Sequence, residues 1–466
     1  MKEYDVIVIG AGPGGYVCAI RASQLGLKTA IVDKEWLGGV CLNVGCIPTK
    51  ALLKNADVAR LLREGSKEFG FSFDNLKLDY SAAVKRSRKV SERLTRGVGF
   101  LMKKNNIDVF MGTARLAGKD KVIVTDKENK TEELHGKNIV IATGSHATVI
   151  PGIQVDGQAV VTYHEAILQE KLPSSVIIIG AGAIGIEFAT IWGSYGSKVT
   201  LVEMLPRVLP LEDEEISSEL EKIFKKNGVE VLTNHRVVAV QKTANGVQVK
   251  VNSDGTEKTL EAEQALVAIG FRPNTSGIGL EDVGVQLTEK GKFIQVDDRM
   301  ATNVPGIWAI GDVTGKLLLA HVASAQAVVC AENIAGVETV TLDYRMMPRA
   351  TYCHPQVASF GLTEAQAKAE GYQITVGRFP FQANGKALGL GEYNGWVKII
   401  SDAKYGEILG AHMIGPDVTE LLPELTLAHN MELTAAEIAR NVHAHPTLSE
   451  AIMEAAHASE GHAIHI

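Results

Sequence analysis

One unit occurs twice in this chain and restricts its fold more than any other feature. It is an apolar strand, a glycine-rich turn, a helix, and a second strand that ends in an acid. In the first copy residues 6–9 lead into Gly10, Gly12 and Gly15, a helix is expected over 14–25, and the strand 29–32 ends at Asp33. In the second, residues 176–179 lead into Gly180, Gly182 and Gly185, a helix runs to about Gly196, and the strand 199–202 ends at Glu203. Gly10 to Asp33 and Gly180 to Glu203 span the same interval of 23 residues. In such a unit the first glycine makes the tight turn, the second lets backbone approach a pyrophosphate, and the third lets the helix pack on the strand. The pyrophosphate then lies on the helix N-terminus, where N–H groups and the macrodipole favour negative charge. A single GxGxxG arises by chance or for packing alone. Two framed copies predict two dinucleotide sites and an α/β fold with two Rossmann-like domains.

The terminal acids select among dinucleotides, because a carboxylate accepts hydrogen bonds from ribose hydroxyls and repels a 2′-phosphate. Glu203 therefore favours NAD over NADP, although Arg207 stands four residues on as a candidate phosphate partner, and both acids also suit solvated strand ends. Further strands over 139–143 and 265–269 end at Gly144 and Gly270 and read as crossings between nucleotide domains. The expected divisions are 1–147, 148–275, a central segment 276–346, and 347–466. A strand at 307–310 ends in Gly311 and Asp312, which taken alone is a turn residue. Beyond about 347 strands mix with helices, for example 396–401, 408–414 and 419–431, without a nucleotide fingerprint; this predicts an α+β interface domain. The polar segment 241–263 reads as an exposed hairpin.

The segment from Gly38 to Lys50, GGVCLNVGCIPTK, carries Cys41 and Cys46. On a regular helix residues five apart are separated by about 7.5 Å of rise alone, whereas disulfides seldom span more than roughly 7 Å between Cα atoms. A bond between them requires a distorted turn, which Gly45 permits. Pro48 suits the first turn of a helix expected over 49–62. Cys46 then lies near a helix N-terminus, where a thiolate is favoured, and a stabilised thiolate with a partner suits dithiol exchange. A zinc half-site or two unpaired core thiols would use the same residues, but no second ligand pair at metal spacing accompanies them. No metal is expected.

Near the C-terminus, Thr447 and Glu450 are spaced as a capping box, a sufficient structural reason for Glu450. The same helix start turns Glu450 back toward His445, where it would hold the tautomer needed to move a thiol proton. His443 is assigned a structural role. His457, His462 and His465 lack a paired acid or cysteine at metal spacing and read as a solvated or interface tail.

Together GAGPGG, GGVCLNVGCIPTK, GAGAIGIE, AIGDV and HAHPTLSE identify the chain as resembling, over essentially its whole length, the pyridine nucleotide disulfide oxidoreductase family. The resemblance implies FAD at the first site and NAD at the second. It also implies Cys41 as the interchange thiol and Cys46 as the charge-transfer thiol, Lys50 and Glu187 paired near the flavin, and Asp312 at the FAD ribityl chain. His445 and Glu450 would act on the disulfide of the other subunit of a homodimer. The implied reaction is NAD-dependent oxidation of dihydrolipoyl groups borne on a partner protein of a 2-oxo acid dehydrogenase or glycine cleavage complex. Members that reduce glutathione carry arginines for the NADP phosphate, and those that reduce mercuric ion carry a C-terminal cysteine pair. This chain has Glu203 and ends in GHAIHI. A non-catalytic scaffold that keeps the nucleotide folds is the reading from another class, and it could dispense with the cysteines and His445 that this chain retains.

Composition narrows the rest. At roughly 150 residues per domain, 466 residues make about three domains. With 45% hydrophobic and 22% charged residues the chain reads as ordinary globular protein. The net charge is −7, no segment reads as strongly basic, and nucleic acid is not an expected partner. Residues 1–5 run straight into the first strand, without a charged leader, and no apolar run approaches the roughly 18 residues that span a bilayer. The expected compartment is the cytoplasm, with no membrane association. Five cysteines are too sparse for a structural disulfide framework.

Overall fold

Val6, Ile7, Val8 and Ile9 are apolar toward both faces, the pattern of a strand covered on each side. In the computed structural model, which describes residues 2–466, they lie in the strand Lys2–Ile9 within a seven-stranded sheet and are buried. Thr29–Asp33 and then Asp108–Met111 pair parallel on one side; Thr131–Ile141 pairs parallel on the other. Ile307–Ala309 joins this sheet parallel to Thr131–Ile141, and the antiparallel strands Lys121–Thr125 and Thr113–Leu116 complete it. The central segment thus adds a strand to the first nucleotide fold. The compact unit built on this sheet comprises Met1–Ala51, Ala82–Thr148 and Gly270–Tyr344.

A second compact unit comprises Leu52–Ser81, Val149–Ile269 and Arg345–Ile466. It contains a five-stranded parallel sheet in the order Glu230–Leu232, Lys198–Val202, Ser175–Ile179, Gln264–Val267, Val160–Val161. The segment expected as one hairpin over 241–263 is instead a three-stranded antiparallel sheet, Arg236–Thr243, Gly246–Ser253 and Thr256–Ala262. Its first strand escaped notice because Arg236 to Lys242 alternates weakly and leaves only Val237 buried. The C-terminal portion forms a five-stranded antiparallel sheet over a core that includes Phe360, Phe379, Phe381, Leu425 and Ile452. Its helix Glu450–Ser459 lies close on the strand Ile374–Pro380, where a Cβ on Gly377 would stand 1.9 Å from the Ala455 carbonyl oxygen. The architecture is α/β, with two Rossmann-like folds and a C-terminal α+β portion. Among the described residues no helix is long and apolar enough to cross a membrane.

One expectation fails in the helix Tyr80–Lys104. Between residues 82 and 104 stand eight lysines and arginines and one acid, so a strongly basic segment exists inside an acidic chain. Whole-chain net charge had averaged it away.

Candidate active site

The redox segment folds as two helices with a break between them. Gly39–Val44 is a short helix, Gly45 follows with φ −135° and ψ −117°, and Cys46–Glu64 is a long helix. A Cβ on Gly45 would come 2.9 Å from the Val40 carbonyl oxygen and 3.1 Å from the Cys41 Cα, so only glycine lets the second helix start this close to the first. The second helix begins at Cys46 rather than near Thr49, because Thr49 already donates its N–H and its hydroxyl to the Gly45 carbonyl oxygen at 3.2 and 2.6 Å. Cys46 therefore occupies the first position of a helix, where the macrodipole favours a thiolate.

The distorted turn brings the Cys41 and Cys46 sulfurs within hydrogen-bond reach of each other. The hydrogen bond to Cys46, then burial, push the Cys41 thiol far above its ordinary range, against the smaller pull of the Lys50 ammonium. In such a pair the Cys41 thiol is the donor and the Cys46 sulfur the acceptor. Tyr16, on the helix Pro13–Gln24, packs against the same core cluster as Cys41, and burial, then the two sulfurs, raise its hydroxyl above the ordinary range. No sequence motif marked it.

The helix Tyr80–Lys104 braces this segment from behind. Arg88 donates to the Asn43 carbonyl oxygen and Thr95 to Asn43 Oδ1 at 3.1 Å, while Asn43 Nδ2 donates to Leu37 and Gly39 carbonyls at 3.0 and 2.9 Å. Asn43, Arg88 and Thr95 are positioning residues that the sequence did not advertise. Their partners lie about 45 to 52 residues apart in sequence, beyond any local pattern.

The dithiol is fixed to the first nucleotide turn through backbone. Gly38 N–H donates to the Ala11 carbonyl oxygen at 2.8 Å, and a Cβ on Gly39, which has φ +57°, would stand 2.6 Å from the Gly12 Cα. Gly39→Ala should accordingly cost about 1–3 kcal/mol, the usual cost of forcing an atom into a closed contact. A thermal melt showing no fall in Tm would contradict this close approach.

Both turns fit a dinucleotide pyrophosphate. A Cβ on Gly15 would stand 1.8 Å from the Gly10 carbonyl oxygen, and one on Gly185 2.0 Å from that of Gly180, so the third glycine lies on the first in each copy. Gly12 and Gly182 face open space instead. Each is the N-cap of its helix, Pro13–Gln24 and Ala183–Tyr195, and supplies no side-chain cap, so the first-turn N–H groups are left for an anion. The terminal acids are equivalent too. Ala11 N–H donates to Asp33 Oδ2 at 2.7 Å and Ala181 N–H to Glu203 Oε2 at 2.8 Å. Leu205 N–H takes Glu203 Oε1 at 2.9 Å, which leaves lone pairs on both oxygens for ribose hydroxyls. Arg207 pairs with the Glu214 carboxylate at 3.4 Å, already occupied by an acid rather than held for a phosphate.

Asp312 begins to look like more than a turn residue once its surroundings are known. It stands in the one-turn helix Gly311–Thr314, accepts the Ser145 hydroxyl at 2.7 Å, and burial raises its carboxyl above the ordinary range. Gly311 N–H donates to Gln326 Oε1 at 2.6 Å, so a third part of the chain fixes the carboxylate's position. Gly144 (φ +70°) and Gly270 (φ +103°) follow the strands Thr131–Ile141 and Gln264–Val267 and turn the chain there. Glu187 is only 4% exposed and accepts the Tyr352 N–H at 3.0 Å.

In the C-terminal portion His445 Nδ1 meets Glu450 Oε1 at 2.9 Å. Glu450 Oε2 accepts the Thr447 N–H at 2.8 Å, one half of the expected capping box. The other half is absent, because the helix begins at Glu450 with Ser449 as its N-cap and Thr447 stands outside the capping position; the Thr447 hydroxyl donates to the Ala444 carbonyl oxygen. Burial would raise the Glu450 carboxyl, but the Thr447 N–H and His445 outweigh it and hold the group below its usual range. An ionised Glu450 places the proton on His445 Nδ1 and leaves Nε2 as the acceptor, on a side chain 79% exposed. His443 is different: its side chain is 4% exposed and its Nε2 meets Glu424 at 2.9 Å, a structural arrangement. The tail histidines read from the sequence as a solvated or interface tail without a paired acid or cysteine at metal spacing. His465 is tied down by a single acid, Nδ1 to Glu454 Oε1 at 2.6 Å, because Glu454 follows Glu450 by one helical turn and reaches the returning tail.

Comparison with known proteins places this arrangement among relatives. A family model described as Pyridine nucleotide-disulphide oxidoreductase matches residues 4–327, and its dimerisation domain matches 347–456. A dihydrolipoyl dehydrogenase of Mycobacterium tuberculosis is 55% identical, with 100% of both chains covered. One from Corynebacterium glutamicum is 50% identical and one from Bacillus subtilis 46%, each with 99% of both chains covered. Among solved structures, LpdA from Mycobacterium tuberculosis superposes with a TM-score of 0.91 at 28% identity, covering 98% of this chain and 99% of that one. The HOCl-induced flavoprotein disulfide reductase RclA from Escherichia coli gives 0.85 at 28% identity, covering 96% and 98%.

Proposed function

The chain belongs to the pyridine nucleotide-disulphide oxidoreductase family, and from that premise we propose that it oxidises protein-bound dihydrolipoyl groups to lipoyl with reduction of NAD to NADH. The observation that carries this reading is the thiol pair at Cys41 and Cys46, joined backbone to backbone to the first dinucleotide turn. FAD would be held at that turn by Gly10, Gly12, Gly15 and Asp33, with Gly144 and Asp312 farther along the site, and when bound it would supply a two-electron acceptor for the dithiol. NAD fits the second turn, through Gly180, Gly182, Gly185, Glu203 and Gly270.

The chain's own residues account for the thiol chemistry. His445 Nε2 removes a proton from the dihydrolipoyl dithiol, and the resulting thiolate attacks Cys41 Sγ of the oxidised pair, expelling Cys46 as a thiolate. The second substrate thiol then displaces Cys41, so lipoyl leaves oxidised and the protein holds two electrons as a dithiol. The start of the helix Cys46–Glu64 favours the Cys46 charge, while Lys50 moderates the charge around Cys41. Lys50 and Glu187 also stand with the flavin-side residues in this reading. His445 and Glu450 lie inside the segment matched by the dimerisation domain, and we assign them to the dithiol of the other subunit in a homodimer.

Domains follow the chemistry, with 1–147 and 276–346 serving FAD, 148–275 serving NAD and 347–466 serving the interface. The lipoyl arm belongs to a partner protein of a 2-oxo acid dehydrogenase or glycine cleavage complex. We assign the protein to the cytoplasm, because five cysteines in 466 residues are too sparse for a structural disulfide framework.

An anaerobic assay with dihydrolipoamide and NAD tests the reading: NADH should form with FAD-loaded protein, and its absence from protein with bound FAD would favour a non-catalytic role. Selectivity gives a second check. Glu203→Ala removes a buried hydrogen-bond acceptor and should raise KM for NAD roughly tenfold or more without a matching loss on NADP. An unchanged KM for NAD would remove Glu203 from the site.

A further inference from the structure

The helix Tyr80–Lys104 has two faces with different work. Ser87, Ser91, Val98 and Met102 are buried, and from this inner side Arg88 and Thr95 hold Asn43, two residues beyond Cys41. The helical period places Lys89, Arg93, Arg96, Lys103 and Lys104 together on the opposite side, where all five are exposed. None of the five makes a salt bridge among the described residues. Phe100, 65% exposed, lies within the same stripe. Residues 82–104 contribute +7 to a chain whose net charge is −7, leaving −14 for the remainder. Such a concentration of one sign, carried against the balance of the chain, steers a partner of the opposite sign. Aromatic residues and arginine are enriched at protein interfaces, and Phe100 exposed among these cations has that composition.

We propose that this stripe docks an acidic surface of the lipoyl-bearing protein and so delivers its dithiol to the segment braced by the same helix. The proposal rests on the dihydrolipoyl reading above, and it adds what kind of partner surface that reading requires. Free dihydrolipoamide is small and uncharged and gains nothing from the stripe. A lipoyl domain of net negative charge gains encounter rate, by about 10- to 10³-fold at low ionic strength.

The test uses FAD-loaded full-length protein and two substrates, free dihydrolipoamide and an isolated, reduced, acidic lipoyl domain. For the unaltered protein kcat/KM on the domain should fall at least about tenfold between low and high salt, while that on dihydrolipoamide stays level. The triple variant Lys89→Glu, Arg93→Glu, Arg96→Glu should lose about 10- to 100-fold on the domain at low salt, lose the salt dependence, and stay within about twofold on dihydrolipoamide. The neutral triple variant to Gln should fall between the two. Domain turnover that keeps its rate and salt dependence in both variants would overturn the proposal, also if the variants had lost only binding to duplex DNA or anionic vesicles. Failure of the unaltered protein to oxidise dihydrolipoamide at all is a separate result, and it would refute the dihydrolipoyl reading itself.

Discussion

Cys46→Ser should stop the oxidation of dihydrolipoamide almost completely, by a factor on the order of 10⁴ or more, as expected when an obligatory nucleophile or its partner is removed. NADH-dependent reduction of a dye, which needs the nucleotide sites but no thiol, should survive within about a factor of three. The reason is local. Serine at the first position of Cys46–Glu64 keeps the helix start but cannot close a bond with Cys41, so no two-electron store remains. Cys41→Ser should give the same pattern. A Cys46→Ser protein that still turned over dihydrolipoamide would mean that the substrate bypasses the pair.

His445→Gln should lower dihydrolipoamide turnover by about 10²- to 10⁴-fold, the usual contribution of a positioned general base, and leave dye reduction intact. Glutamine can still donate to Glu450 but accepts no proton, so the pH dependence of the remaining thiol turnover should flatten on its acid side. Because Glu450 is held below its ordinary range, it stays ionised through neutral pH, and the tautomer of His445 is fixed throughout that window. Assignment of this pair to the other subunit has its own readout. In heterodimers joining a Cys46→Ser chain to a His445→Gln chain, action across subunits leaves one intact site in two, so about half the normal thiol turnover should return. Action within a subunit leaves none. Heterodimers as inactive as either parent would confine His445 to its own chain's dithiol.

Much of this site was legible in the order of residues, and the reason is that its chemistry uses backbone. Turns that hold a pyrophosphate need glycine where a side chain would collide, and Gly10, Gly15, Gly180 and Gly185 appear at those contacts. The same holds for Gly45, whose absent Cβ lets Cys41 and Cys46 meet. Other parts rest on side chains that find partners far along the chain, and no spacing rule reaches them. Asn43 depends on Arg88 and Thr95, Asp312 on Ser145, and Gly311 on Gln326. Tyr16 lies in a helix whose motif explains its glycines but not its ring. The capping box at Thr447 and Glu450 shows the opposite error. A short pattern predicted two reciprocal bonds, but the helix starts at Glu450 with Ser449 as its N-cap, so Glu450 is not three residues into a helix capped by Thr447 and only the bond from the Thr447 N–H is made. The other carboxylate oxygen of Glu450 meets His445. The basic stripe was hidden by summation, because its cations are periodic on a helix while the chain's total charge is acidic.

The most direct test of the sulfur relay is the mass of the peptide from Glu35 to Lys50, which carries both cysteines. Protein exposed to lipoamide and then alkylated under denaturing conditions should yield this peptide without added alkyl groups and lighter by two hydrogens, the signature of a Cys41–Cys46 bond. After anaerobic treatment with dihydrolipoamide it should carry two alkyl groups. Two alkylated cysteines under both conditions would contradict the account.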